Sequence, residues 1–324
     1  MADQEAEHVK FPRQYEHGGV TFLEFVNPDI VRDPGIVSCR EDDVFVASYP
    51  KSGTTVTIEM VALLLNGADV EANRSAPQNV RVPMVELYFK MFIRFRWFFF
   101  FFMKIYSFLP AILRYRYLKI PLLTPEELDS TDGLKFVEKL PRPRLIKCHL
   151  PYQFFPTQAI QKKCKIIYIA RNPKDVVVSL RYHLKNLPPY FYWGPWDTFY
   201  RTFIDGKMCH GDWFDHVIEW WNHREERNIL FLKYEDLIKR PRETVRETAR
   251  FLDVEVTKDM EDRILDHCSF KNMKENPSVN FGGSGFIRKG IIGDWTNYFT
   301  VAQDKEFDKL YGKRMRGTGL DFEW

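Results

Sequence analysis

Cysteine is scarce in this chain and poorly placed for pairing. The five cysteines, Cys39, Cys148, Cys164, Cys209 and Cys268, are odd in number, scattered and never spaced C-x-x-C. That pattern speaks against a disulfide framework and a zinc site, and it fits a reducing compartment. An excess of one charge is also lacking, with a net charge of +3. Nothing global points to nucleic acid, so any basic function must be local. No stretch supplies the roughly 20 apolar residues of a membrane helix; Trp97–Met103 stops after seven, at Lys104. The opening residues, Met1 to Glu7, are acidic and polar, unlike a secretory leader. A cytoplasmic location is the expectation. The Walker spacing G-x-x-x-x-G-K-[ST] is missing around the main glycine turn, which counts against an ordinary NTPase. No internal repeat is visible.

What the chain does have is 324 residues, 45% of them hydrophobic, enough for one large core or two small ones. Short apolar runs at Val44–Ser48, Leu145–Lys147, Lys165–Ala170 and Ile229–Lys233 lack strict polar alternation. Strands covered on both faces look like this. Helix-like runs follow at Thr54–Leu65, Asp175–Lys185, Trp213–Arg224, Arg242–Leu252 and Lys258–Asp266. Pro241 stands where a first helical turn favours proline. The alternation predicts an α/β fold, a single domain over 1–324 with a central, mainly parallel sheet flanked by helices. Loops 49–55, 147–151, 171–179 and 234–236 should then share the sheet edge where ligands bind. Asn186–Thr198 and Asn276–Gly285 read as long loops; the second is either a lid or a plain surface loop.

Three segments carry anion chemistry. In the first, Tyr49-Pro50-Lys51-Ser52-Gly53-Thr54-Thr55 joins a strand to a helix. N–H groups at a helix start, the helix dipole and Lys51 together make a phosphate cradle. In the second, Arg171 leaves a strand end and Ser179 follows about two helical turns on. The third is Arg288-Lys289-Gly290, adjacent cations with a glycine that permits close backbone approach. Each has a plainer reading: a capped polar loop, an Arg171 paired with a carboxylate, a solvated Arg288-Lys289 face.

Taken together, the segments resemble the cytosolic sulfotransferase family, which uses 3′-phosphoadenosine 5′-phosphosulfate (PAPS). The matching pieces run in order: Tyr49–Thr55, Lys147-Cys148-His149-Leu150-Pro151, Tyr168–Ser179, Trp220-Trp221, Tyr234-Glu235-Asp236, Ser269–Met273, Arg288–Trp295 and Phe299–Gln303. The resemblance implies a P-loop-like sulfotransferase fold and roles for single residues. Lys51, Ser52, Gly53, Thr54 and Thr55 would bind the 5′-phosphosulfate, with Lys51 neutralising the oxygen that leaves. Arg171, Ser179, Arg288, Lys289 and Gly290 would hold the 3′-phosphate. Tyr234 and Phe270 would line the adenine pocket, to which positions 56 and 268 also belong. His149 would take the acceptor proton, Lys147 would steady the sulfuryl group, and Met84, Phe89 and Phe154 would meet the acceptor. A histidine suits the base role because its pKa lies near working pH. No metal is needed where Lys51 and a helix start supply positive charge.

Departures from the family pattern are informative. Val56 replaces a tryptophan and Cys268 a threonine. A lost aromatic stack and a poorer hydrogen-bonding group cost about 0.5–1.5 kcal/mol each, together up to roughly 100-fold in cofactor affinity. The family's dimerisation pattern keeps its centre, Thr300-Val301, but not its ends, which leaves a homodimer by that route in doubt. The largest departure is an insertion at about 88–120. Tyr88–Phe108 holds twelve aromatics, and from Arg81 to Lys119 eight Lys or Arg stand against one Glu. Three readings are open: an extra layer on the core, a cover over an enlarged acceptor pocket, or peripheral contact with a membrane surface.

The expected activity is sulfuryl transfer from PAPS to a hydroxyl, or an amine, of a small lipophilic phenol, alcohol or amine, with no nucleic-acid partner. Alternatives are a retinoid-like acceptor whose sulfation leads to elimination, a weakly active or non-catalytic lipophile-binding member, and an ATP-dependent kinase. Arg171, Ser179 and Arg288 count against the kinase.

Overall fold

The computed structural model describes residues 13–88, 132–186, 192–280 and 286–324. Phe89 and most of the 88–120 insertion lie outside them, so the expectations resting there stay as they were.

A short antiparallel hairpin comes first, β1 (Gln14–His17) with β2 (Val20–Leu23). Four parallel strands follow: β3 (Val44–Ala47), β4 (Leu145–Cys148), β5 (Lys165–Ala170) and β6 (Ile229–Lys233), in spatial order β4-β3-β5-β6. Their near-continuous apolar runs are explained by the two faces they serve. Phe45, Ala47, Ile146, Tyr168 and Ala170 enter one core cluster, whereas Val44, Val46, Leu145, Ile167 and Ile169 enter the other. Side chains alternate across a sheet, so a strand buried on both sides shows no polar alternation. Burying each large aliphatic side chain stabilises by about 1.5–3 kcal/mol.

Helix α1 (Thr54–Leu65) follows β3, and α2 (Pro173–Asn186) follows β5. Further on come α3 (Trp213–Asn222), α4 (Tyr234–Lys239), α5 (Pro241–Leu252), α6 (Lys258–His267) and α7 (Val301–Arg314). Apolar residues of α1, α5 and α6 pack in the second cluster, and those of α2 and α3 in the first. α2 starts two residues earlier than the pattern predicts, because Asn172 caps it by accepting from the Asp175 N–H at 2.8 Å.

Two expectations about loops need correction, and a third gains detail. A helix begins at Trp196 (Trp196–Ile204), inside the stretch 186–198 that reads as a loop. Its aromatics are bound inward; the Trp196 indole donates to Gln303 Oε1 at 3.0 Å and Tyr200 is buried. Tyr234–Asp236 is the first turn of α4 rather than a loop. Within 276–285, the described half packs inward: Val279 is fully buried and the Ser278 carbonyl accepts from the Gln78 N–H at 2.8 Å.

Candidate active site

All four parallel strands end on one edge. The order β4-β3-β5-β6 makes the chain leave β3 toward β4 and then return past it to β5, so this edge has a crevice where connections diverge. After β3 the turn holds two left-handed residues, Lys51 at φ 72° and Gly53 at φ 106°. Gly53 is required twice over: a Cβ there would lie 2.6 Å from the Tyr234 ring. Gly53 caps α1 without a side-chain hydrogen bond, which leaves first-turn N–H groups free of a side-chain cap. Beside it Ser52 Oγ is buried and has no partner among the described residues.

Positive charge gathers on this turn. The Lys51 ammonium lies 4.2 Å above the Phe286 ring, with no carboxylate in ion-pair range among the described residues. Burial, then Lys147, Arg171 and Arg288, lower its pKa from 10.5 to about 7. Three cations close enough to disfavour the charge of Lys51, next to an uncapped helix start and an orphaned hydroxyl, fit a bound polyanion.

The β5 turn is arranged differently. Arg171 pairs with buried Asp175 at 3.2 Å and donates to the Ile291 carbonyl at 2.8 Å. Its guanidinium stacks 4.4 Å from the Tyr234 ring. Asp175 also accepts from the N–H groups of Gly293 and Trp295. Arg288 and Lys289 both bind Asp294, so in place of the plainer reading of a solvated face there is an ion-pair cluster. Gly290, at φ 66°, touches Phe270 so closely that a Cβ would fall 2.3 Å from its ring. Ser179 is half-buried on α2. Val56 is half-buried against the second core cluster, as is Cys268, whose thiol pKa burial raises.

On the other side of the edge, Lys147 and His149 leave β4. Met84 bridges to Lys147 in parallel: Lys147 donates to the Pro83 carbonyl and accepts from Val85, both at 3.0 Å. His149 is buried; its Nδ1 lies 2.8 Å from the Ser48 carbonyl and 3.2 Å from Ser48 Oγ. A carbonyl only accepts, so Nδ1 donates and Nε2 keeps its lone pair. Burial, then Lys147 and His210, hold the imidazole pKa well below its usual value. Ser48 Oγ also bonds Thr54 Oγ1 at 2.7 Å, which links His149 to the start of α1. Phe154 joins this side through rings: Phe154 to Phe22, Phe22 to His210, His210 to His149, at 5.4, 6.2 and 5.9 Å.

Sequence reasoning missed three residues here. Ser48 shows no local signal beyond its place before the turn. Glu86 is fully buried, and its Oε1 accepts from the His149 N–H at 2.6 Å. Burial pushes its carboxyl up to about 7; its two-residue offset from Met84 was the available hint. His210 had no signal. A separate cavity of about 720 Å³ opens past His210 and His216 and is lined by Asp205, Asp212, Asp215 and Glu219 among others. Apart from Pro151, at the end of the 147–151 loop, it includes none of the residues singled out from sequence.

These features suit a polyanion at the C-terminal edge of a parallel α/β sheet. A family model for the sulfotransferase domain matches residues 41–319. Sulfotransferase 1B1 of Canis lupus familiaris is 40% identical over 296 residues, spanning 87% of this chain and 86% of that protein. Sulfotransferase 1A1 of Rattus norvegicus is 35% identical over 329 residues, 93% and 99%. Among solved structures, retinol dehydratase in a complex with retinol and PAP is similar at 26% identity and TM-score 0.78, covering 99% of this chain and 96% of that one. A mouse sulfotransferase complexed with PAP is similar at 26% and 0.69, with 94% of both covered. The chain belongs to the cytosolic sulfotransferase family. It is a PAPS-dependent transferase with the P-loop-like fold of that family. Among the described residues no helix is long and apolar enough to cross a membrane, and no group of three or more His, Cys, Asp or Glu could hold a metal ion.

Proposed function

We propose that the chain moves the sulfuryl group to a hydroxyl (or amine) of a small lipophilic acceptor by in-line displacement, with His149 as general base. The observation that carries this reading is the tautomer of His149. Its Nδ1 is committed to the Ser48 carbonyl at 2.8 Å, and burial keeps the ring neutral. Nε2 is therefore ready to accept a proton. As the acceptor oxygen bonds to sulfur, the bond from sulfur to the 5′-phosphate oxygen breaks, and negative charge grows on that oxygen. Lys51 and the start of α1 would meet this charge, Ser52, Gly53, Thr54 and Thr55 would hold the 5′ end, and Lys147 would steady the transferring group. Arg171, Ser179, Arg288, Lys289 and Gly290 would hold the 3′-phosphate; Tyr234, Phe270, Val56 and Cys268 would enclose the adenine. Met84, Phe89 and Phe154 would face the acceptor. Residues 1–324 would form one sulfotransferase domain, working in the cytoplasm.

A retinoid-like acceptor is a second reading, favoured by the likeness to a retinol dehydratase solved with retinol. His149→Ala should lower turnover about 10²–10⁴-fold with PAP affinity nearly intact. Substantial residual turnover would remove His149 from the base role. Labelled PAPS assayed with phenols, monoamines, sterols and retinoids tests the acceptor class.

A further inference from the structure

Glu86 is a charged residue in a place that asks only for a hydrogen-bond acceptor. Residues 83–85 extend the sheet past its edge strand β4. Lys147 donates to the Pro83 carbonyl and Val85 donates to the Lys147 carbonyl, both at 3.0 Å, with Met84 in register with Lys147. The next rung of a parallel ladder would take the His149 N–H to the Val85 carbonyl. The chain instead turns away, as the Leu87 N–H bonds back to the Met84 carbonyl at 3.1 Å and the Glu86 carbonyl accepts from Asn27 at 2.7 Å. The register sets Glu86 level with His149, and its side chain supplies the missing rung: Oε1 accepts from the His149 N–H at 2.6 Å.

A glutamine carbonyl oxygen would complete that rung as well. A fully buried carboxylate is costly, and Oε2 has no hydrogen-bond partner among the described residues. The charge therefore needs another reason, and Lys147 supplies one. Burial pushes the Glu86 carboxyl up and the Lys147 ammonium down, and each charge opposes that shift in the other. The Cys148 thiol also acts on the carboxyl; burial raises its own pKa well above the usual value, so it stays neutral. Lys147 in turn is one of the charges that hold down the pKa of Lys51 and of His149. One carboxylate thus bears on His149 through its backbone and on the cations of the site through Lys147.

We propose that Glu86 is a positioning residue with two tasks, seating the backbone of His149 and holding Lys147 in its charged form. Its effect on turnover rests on the roles given above to His149 and Lys147. Glu86→Gln separates the tasks, because it keeps the acceptor and removes the charge. In protein isotopically labelled at lysine Cε, the Lys147 signal is identified by its loss in Lys147→Arg. Its titration midpoint should fall by about one pH unit or more in Glu86→Gln. The Lys51 midpoint should rise, because a neutral Lys147 no longer repels it. kcat should fall by up to about tenfold, increasingly as pH rises, with the acceptor KM nearly unchanged. Glu86→Ala, which removes the rung too, should lose about tenfold more kcat than Glu86→Gln. An unshifted Lys147 midpoint in Glu86→Gln would overturn the proposal. So would a loss of kcat that is the same at every pH, the mark of a merely structural residue, or equal losses in the Gln and Ala variants. Should the variants not fold, wild-type protein supplies the test: the Glu86 carboxyl and Lys147 signals should titrate in common steps, and independent single steps would overturn the proposal. The midpoints do not depend on which residue is the base. Failure of that reading shows instead as retained turnover in His149→Ala.

Discussion

The turns after β3 and β5 leave the same sheet edge, each joining a strand to a helix, yet they are built on opposite electrostatic plans. After β3, Lys51 has no carboxylate in ion-pair range among the described residues, α1 has no side-chain cap and Ser52 Oγ is orphaned. After β5, Arg171 is paired with Asp175, and Asn172 donates to both Asp175 and Glu235. Among the described residues the first turn leaves its charge unbalanced. The second is balanced internally and clamps the 291–295 segment through Asp175. Adjacent positive turns can therefore differ in kind. In the proposed reading, one supplies charge to the reacting end of the cofactor and the other supplies shape at its far end.

The sharpest way to break this contrast is to remove each cation. Lys51→Met should lower kcat/KM about 10³-fold, as expected for a lost electrostatic donor. It should also raise the Tm of the ligand-free protein by about 1–3 °C, because a disfavoured charge disappears. Arg171→Met should weaken PAP binding about 10–100-fold and lower Tm by about 2–6 °C, since Asp175 loses a buried partner. Shifts of Tm in the same direction for the two variants would end the distinction.

A pH titration separates the turns further. The folded pKa of Lys51, about 7, lies below its ordinary 10.5. Between those values the unfolded chain binds more protons at this site, so its contribution makes the free protein more stable as pH rises through the window. A bound polyanion restores the charge. PAP binding above pH 7 should thus take up protons and weaken by up to about tenfold per pH unit. Calorimetry in buffers of different ionisation enthalpy measures that uptake, and Lys51→Met should abolish the share due to Lys51. The smallest expected effect is Val56→Trp, which should tighten PAP binding by up to about tenfold through restored stacking. An unchanged affinity would mean that Phe270, half-exposed beside Gly290, already fills that role.

Much of the framework was legible in advance. The four strands and α1, α3, α5 and α6 lie within two residues of their expected bounds, because short doubly covered strands and long periodic helices declare themselves locally. The helix at 196–204 was not legible: Pro195 and clustered aromatics imitate a loop until Gln303, over a hundred residues away, supplies partners for Trp196 and Asp197. Glu86 and His210 were hidden for the same reason, since an isolated carboxylate or imidazole carries no periodic signal.

By itself the sequence determined the order of strands and helices and which turns would be cationic. Hydrophobic patterning, glycine placement and charge are properties of neighbouring residues. Only the tertiary structure decided which of those charges are balanced and which polar atoms are left without partners. Those outcomes depend on residues far apart in the chain, as when Ser48 and His149 meet across 101 positions or Arg171 reaches the Ile291 carbonyl across 120. Burial then turns each such meeting, or its absence, into a shifted pKa or an unmet hydrogen bond.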